Sequence, residues 1–517
     1  MPYHERLLLL GMMVVLAVGI GLGFAQQPSY GDAFYYALGA RTLAEGGGFT
    51  QPFLWNYIGD PTSLTVPSHT YWMPMPSILG AIGMRLGGMN YVAAQLPFVI
   101  LLVGMGMLSA WLAYILTGSR RVVWLSVIVV MFGGFYGHFW GMTSSFTPYA
   151  VFGSACLISL GLGLRHSRWQ WFSLAGGCVA LAHLTRADGL LLLICGGGVL
   201  AWMGWTRQFS FKQVALCGGV LVITYLVVMF PWLLFNWSRL GTPLPVGGTV
   251  GIWITEIDDL ARYPMQVGWQ DLFADGGETF LRTRLEAFTH NLLIFFGVEG
   301  AIILTPFMLI GIVKRRTDLL LIPFILYAVL LHLVMTLVFA VPGFNGSLIH
   351  SSAALWVFWV VLGWEGLDHT IAWVAQRRRT WNQQQAQNVF SIGLAILIVG
   401  MSIFVAVLRR PVNPSSELYP YLQQTLPSDA VVMIYDPSQL YYYTRLSGVV
   451  LPNEQPDVIQ TIAQRYGVDY LVLEAVVDGV ALAAPTDLMN IPTDTPSFLT
   501  PIPVPFATIR MYRIETP

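Results

Sequence analysis

The chain has 517 residues, 55% of them hydrophobic and only 10% charged, where a soluble protein carries roughly a quarter charged residues. With 26 Lys+Arg against 27 Asp+Glu the formal net charge is -1, so there is no bulk attraction for nucleic acid. So few charges cannot solvate the surface of a globule this long, which excludes a soluble protein and predicts a polytopic chain whose solvent is mostly lipid.

A spanning helix needs about 20 mostly apolar residues. Eleven stretches qualify: 7 to 25, 92 to 116, 122 to 138, 148 to 164, 170 to 185, 189 to 205, 213 to 235, 290 to 313, 318 to 340, 349 to 366 and 388 to 408. The cationic clusters Arg120/Arg121, Arg165/Arg168, Arg207/Lys212, Lys314/Arg315/Arg316 and Arg377/Arg378/Arg379 fall at every second connection. By the positive-inside rule those connections are cytoplasmic. The N-terminus is then inside, and 26 to 91, 236 to 289 and everything after Arg409 lie outside. His4, Glu5 and Arg6 ahead of the first run also fit a cleaved signal peptide, but the run is as long as a true span. Residue 32 is outside in either case. Cys156, Cys178, Cys195 and Cys217 lie in apolar runs without a CxxC spacing and read as small core residues.

The tail from 410 changes character, with prolines, acids and short alternating elements. Val431 to Tyr435 and Tyr470 to Leu473 predict buried strands, Pro456 to Tyr466 an amphipathic helix, and Thr508 to Ile514 a closing strand. The expected organisation is an α-helical membrane domain over 1 to 409, with outer loops 26 to 91 and 236 to 289, and a small extracytoplasmic α/β domain over 410 to 517. No glycine-rich phosphate loop follows either early strand, so nucleotide binding finds no support.

Acids at a membrane boundary are expensive, which makes Asp32 the first candidate for chemistry. It follows the first span in Tyr30-Gly31-Asp32-Ala33-Phe34-Tyr35-Tyr36 and precedes an amphipathic stretch reaching Glu45. Asp32 is also a natural N-cap for a helix beginning at Ala33. The loop returns through Val66-Pro67-Ser68-His69-Thr70-Tyr71-Trp72-Met73-Pro74-Met75-Pro76, whose aromatics suit a membrane interface and whose prolines break a helix. His69 taken alone reads as a structural histidine.

A first span, an outer Asp a few residues later, a Tyr-rich helix and a proline-aromatic return together resemble the GT-C superfamily of polyprenyl-phosphate-sugar-dependent glycosyltransferases. The likeness is greatest to glycosyltransferase family 39 and the protein-mannosyltransferase-like bacterial enzymes. Two further stretches agree with it. His183-Leu184-Thr185-Arg186-Ala187-Asp188-Gly189 is similar to that family's Leu-Thr-Arg-Pro-Asp/Glu-Gly turn, and Phe230-Pro231-Trp232 through Asn236 to Gly241-Thr242-Pro243 to its exit into a large outer loop. The resemblance covers roughly residues 7 to 408. The chain departs from it where Ala33 replaces the second acid of a frequent Asp-Glu pair and where Ala187 replaces a common proline. Asp60 is an alternative second acid, although Gly59-Asp60-Pro61 reads first as a solvated turn.

The resemblance implies transfer of a sugar from a polyprenyl-phosphate donor to an acceptor hydroxyl of a glycan, lipid or protein, at the outer face of a bacterial cell membrane. That chemistry needs a general base for the hydroxyl and donors for the phosphate leaving group. Asp32 is the expected base and Arg186 the expected phosphate contact, since guanidinium matches phosphate geometry. His69, His350, Tyr35, Tyr36, Trp72, Asn236 and Glu256 complete the expected substrate-binding set. The loop 236 to 289 adds Trp253, Asp258, Asp259, Tyr263 and Trp269, a composition that serves sugar stacking or a plain interfacial helix. Asp258/Asp259 could in principle hold a divalent cation, but two adjacent acids do not define a ligand set, so the expected set includes no metal or other cofactor while a divalent cation stays open. The rival readings are a multi-span transporter or lipid-linked sugar flippase, for which no inverted repeat is visible, and a scaffold presenting the tail domain.

Overall fold

A computed structural model describes residues 1 to 245, 247 to 378, 381 to 409, 417 to 454, 456 to 477, 480 to 481 and 496 to 515. Arg379 and the expected domain boundary at 410 lie outside the described residues. The chain divides into two compact units. A helical unit holds residues 1 to 28, 72 to 244 and 282 to 410; a sheet unit holds 29 to 71, 245 to 281 and 411 to 517.

All eleven apolar stretches fall on helices of the helical unit. Among the described residues seven helices are long and apolar enough to cross a membrane: Tyr3–Gly23, Tyr91–Thr117, Phe146–His166, Ala187–Trp205, Phe211–Leu240, Ala340–Ala375 and Gln383–Leu408. The remaining four stretches are shorter or broken. Arg120–Phe132 stops at Gly133 and Trp169–Thr185 at Arg186, while Ile322–Leu337 is a short apolar helix. The stretch 290 to 313 is interrupted by a π-helical turn, Phe295–Glu299, before helix Thr305–Arg315 resumes. Helix Met75–Gly87 was not expected inside the first loop. Its prolines do not prevent it, because Pro74 is the N-cap and Pro76 sits in the first turn, where a missing N–H costs nothing.

Small residues set the closest helix packing, as expected where lipid removes the hydrophobic drive between helices. A Cβ on Gly366 would stand 1.8 Å from Phe307 O and one on Gly311 2.2 Å from Leu362 O, so these helices touch backbone to backbone.

Ion pairs tie several of the cationic connections together. Arg120 meets Glu5 at 2.9 Å and Arg121 meets Asp368 at 2.6 Å. Asp318 joins Arg165 at 2.9 Å to Arg315, which also meets Glu365 at 2.6 Å. The first turn of helix Tyr3–Gly23, the connections at 120, 165 and 315, and Glu365 and Asp368 of helix Trp356–Ala375 therefore share one end of the bundle. Helix Trp169–Thr185 begins close to Arg165 and runs 17 residues, about 25 Å at the usual helical rise. It delivers Arg186 to the opposite end.

The sheet unit gathers both loops and the tail about one six-stranded sheet. Across it the strands run Phe53–Leu54, Ser447–Val450, Val431–Ile434, Tyr470–Glu474, Ile509–Ile514 and Leu499–Ile502. The first four are parallel and the last two antiparallel additions. Side chains alternate between faces as the pleat requires. Met433, Leu471 and Leu473 pack with Ile459 and Ile462 of helix Pro456–Tyr466, while Val432, Ile434 and Val472 pack with Leu422 and Leu440 on the other face. The edge strand Phe53–Leu54 comes from the first loop. Tyr57 of that loop donates to Val450 O at 2.6 Å, and Tyr466 and Arg465 donate to Pro61 O. The second loop docks too, through Tyr263 against Tyr57, with ring centroids 5.0 Å apart, and Asn453 N donating to Ala261 O.

Candidate functional site

The two units each hold a polar centre, and each is built by its own elements.

In the sheet unit, helix Gly31–Glu45 opens two residues earlier than a cap at Asp32 would have it. Tyr30 is the N-cap, without a side-chain capping bond, and Asp32 lies in the first turn. That corrects the capping role: the half-buried Asp32 carboxylate is carried at the positive end of the helix, where negative charge is favoured. Arg41 and Glu45 pair at 2.8 Å in the last turn, and Gly46 closes the helix with φ 90°.

Tyr35 and Tyr36 follow Asp32 but face the core, at 4% and 1% exposure. The Tyr35 hydroxyl accepts the His69 N–H at 2.6 Å, and its burial pushes the phenol well above its usual range. His69 is fully buried, with its Nδ1 2.7 Å from Ser68 Oγ and its ring flanked by Tyr35, Tyr36 and Phe49. Burial pushes the imidazole down to about 3. This is the setting of a structural histidine.

Two other acids of the sheet unit, Asp60 and Asp259, are engaged locally. Asp60 is exposed in a turn with φ 45° and pairs with Arg465 at 2.9 Å. Asp259 accepts from Thr255 and Glu256 N–H groups, at 2.8 and 3.1 Å, and so closes the 3-10 turn Ile257–Ala261. Glu256 is the exposed N-cap of that turn. Burial and the neighbouring Asp259 together raise the Asp258 carboxyl. Among the described residues, three or more His, Cys, Asp or Glu nowhere gather as a metal site would need.

In the helical unit, the turn after helix Trp169–Thr185 carries Arg186 with extended backbone, φ -151° and ψ 141°. Gly189 lets the turn fold back: a Cβ there would stand 2.5 Å from His183 N. Arg186 and Asp188 are 14% and 10% exposed and form an ion pair. Arg186 Nε lies 3.1 and 3.3 Å from the two Asp188 oxygens and 3.1 Å from Ser351 Oγ, and Nη2 lies 3.1 Å from Asp188 Oδ2. The Ser351 hydroxyl also donates to Asp188. His350, next in sequence, holds Ser145 Oγ at 2.7 Å through Nδ1 and stacks on Phe146 at 3.8 Å. Thus Arg186 and His350 fall in one centre.

Asn236 and Trp72 of the expected set also belong to the helical unit. Asn236 is buried, donates weakly to Pro243 O at 3.4 Å, and its Oδ1 finds no protein donor among the described residues. Trp72 is half-buried just ahead of helix Met75–Gly87.

The sequence reading missed Ser351, Ser352 and three tyrosines. Ser352 Oγ pairs with the Tyr136 hydroxyl at 2.9 Å, and the Tyr149 and Tyr327 hydroxyls meet at 2.8 Å. The signal present was two adjacent serines after His350 in an otherwise apolar stretch. A third polar group, Glu299, is fully buried between His332 Nε2 at 2.9 Å and Trp359 Nε1 at 2.8 Å.

No protein-family model matches the sequence, and no curated protein matches it. Solved structures do. ArnT from Cupriavidus metallidurans in the apo state aligns over 99% of this chain and 98% of its own, at TM-score 0.59 and 14% identity. Its undecaprenyl-phosphate-bound form gives TM-score 0.58 and 13% identity over the same shares. The oligosaccharyltransferase AglB from Archaeoglobus fulgidus, in complex with an inhibitory peptide and a dolichol-phosphate, aligns over 92% of this chain and 70% of its own, at TM-score 0.52 and 12% identity. The chain is a multi-pass membrane protein with the GT-C fold.

Proposed function

We propose that this protein is an integral membrane glycosyltransferase, moving a sugar from a polyprenyl-phosphate donor to an acceptor hydroxyl at the outer face of the membrane. The observation that carries the reading is the Arg186 centre within a GT-C fold: a largely buried guanidinium at the bundle end away from the cationic connections. Solved structures of the same fold hold undecaprenyl phosphate or dolichol-phosphate, which supports a donor of that class.

In this reading the acceptor oxygen attacks the anomeric carbon as the bond from that carbon to the phosphate oxygen breaks. The acceptor proton passes to Asp32, and the polyprenyl phosphate leaves with its charge held by Arg186. Helices Tyr3–Gly23 and Trp169–Thr185 both start at the cationic end of the bundle, so each ends at the other. If the cationic end is cytoplasmic, the N-terminus is inside and the tail outside.

The flippase reading has one observation in its favour, the ionisable pair Glu299 and His332 inside the helical unit. One assay separates the two. Purified protein is incubated with a panel of polyprenyl-phosphate sugars, and free polyprenyl phosphate is measured, with water as the fallback acceptor. A transferase releases it; a flippase moves the donor intact. Asp32→Asn keeps the size of the side chain and should lower release at least about a hundredfold, the scale of a lost general base. Near-normal turnover in that variant ends the assignment of Asp32.

A further inference from the structure

The geometry assigns to Asp436, in the tail, the role of a positioning residue for Asp32. The inference rests on the proposed role of Asp32 as the base, and it draws the tail into the reaction.

The two oxygens of Asp436 face different helices. Oδ1 accepts from the Ser438 and Gln439 N–H groups, at 2.9 and 3.0 Å, and from the Ser438 hydroxyl, capping helix Pro437–Thr444. Oδ2 faces the start of helix Gly31–Glu45: a side-chain carbon built on Gly31 would lie 3.5 Å from it. Asp32 is the next residue. The first N–H groups of a helix have no intrahelical acceptor, and the N-cap Tyr30 supplies no side-chain capping bond. Negative charge at this end is favoured by the helix dipole, and beside the Asp32 carboxylate of the first turn a second one comes from Asp436.

The approach is braced on both sides. Phe34 packs edge-on against Tyr442 at 5.1 Å and against Tyr443 at 5.7 Å, so helices Gly31–Glu45 and Pro437–Thr444 are locked by their rings. Strand Phe53–Leu54 pairs with Gly448 and Val449, which fixes the first loop to the same sheet. Gly448 in turn lies under Pro437, leaving 2.8 Å between a Cβ there and the Pro437 Cβ. Ala33, where the resembled family often has a second acid, is fully buried and offers none. The carboxylate beside this turn is supplied from the tail instead. Its effect is on aim: a fixed first turn holds the Asp32 carboxylate in one direction, which matters when the acceptor proton is taken and not when the donor binds.

The test uses Asp436→Asn and Asp436→Ser in the full chain. Both residues are good N-caps, so helix Pro437–Thr444 is preserved, while the charge facing Gly31 is lost. Both variants should lower kcat for polyprenyl-phosphate release by about ten- to a hundredfold, the scale for misplacing a reacting group. The donor KM and the unfolding midpoint should stay at the wild-type values, and amides 31 to 34 should exchange faster with deuterium. In an Asp32→Asn background, Asp436→Asn should cause no further loss, because it acts through Asp32. Wild-type kcat in Asp436→Asn overturns the proposal and leaves the transferase reading intact. So does a kcat loss matched by a lowered midpoint, or a full additional loss in the double variant. Full activity in Asp32→Asn alone ends both.

Discussion

Replacing Arg186 and Asp188 separately asks whether their ion pair is a scaffold or a phosphate site at rest. The single Nε–H of Arg186 faces three acceptors, the two Asp188 oxygens at 3.1 and 3.3 Å and Ser351 Oγ at 3.1 Å. One proton shared three ways is at full strength with none, so phosphate oxygens can replace these partners at modest cost. Charge-assisted hydrogen bonds contribute about 1.5 to 3 kcal/mol, so Arg186→Gln should weaken binding of polyprenyl phosphate about tenfold to a hundredfold. Arg186→Lys should recover only part, because an ammonium cannot form a bidentate pair. Asp188→Asn removes the competing charge, so donor affinity should hold or tighten even as the unfolding midpoint falls. Equilibrium binding to the detergent-solubilised variants, alongside their melting curves, measures both effects. Equal affinity losses in the Arg186 and Asp188 variants would make the pair structural, and undiminished affinity in Arg186→Gln would remove it from the site.

His69 should impose an acid limb on stability. Its native pKa of about 3 lies below the usual 6.5, so between these values the unfolded chain binds the extra proton and stability falls as pH drops. The loss reaches about 2 kcal/mol by pH 5. Melting curves from pH 7 to 5 should slope less for His69→Gln, and parallel slopes would contradict the burial argument. Glu299→Ala should cost about 3 to 5 kcal/mol, as when one partner of a buried pair is removed; an unchanged unfolding midpoint would show that the pair carries no net stability. Reporter fusions at the 315 to 318 connection and after the last residue should report opposite sides of the membrane, and a shared side would refute the odd span count.

Much of the helical unit was legible because lipid imposes a constraint that composition records directly. Every buried backbone group in a span must be bonded within its own helix, so each appears as an unbroken apolar run. The charges left over can only mark the ends. Arg120, Arg165 and Arg315 did so, and their partners Glu5 and Asp318 bring them to one end of the bundle. The strands Val431–Ile434 and Tyr470–Glu474 were legible for a related reason, as short β-rich runs buried on both faces.

What tertiary structure decided was which distant residues meet. Ser351 lies 163 positions from Asp188 and donates to it, and no periodicity in either segment encodes that pairing. Phe53 and Leu54 are too short a run to read as a strand; they become one only because Gly448 and Val449 offer an edge. His69 has the same sequence surroundings whether it is a ligand or a core residue, and only the enclosing Tyr35, Tyr36 and Phe49 rings decide for burial. The sequence by itself determined how much of this chain must be helical and in lipid, since that depends on each residue's own transfer energy. The tertiary structure alone decided which carboxylates, hydroxyls and cations share a centre, since that depends on pairwise geometry between segments far apart along the chain.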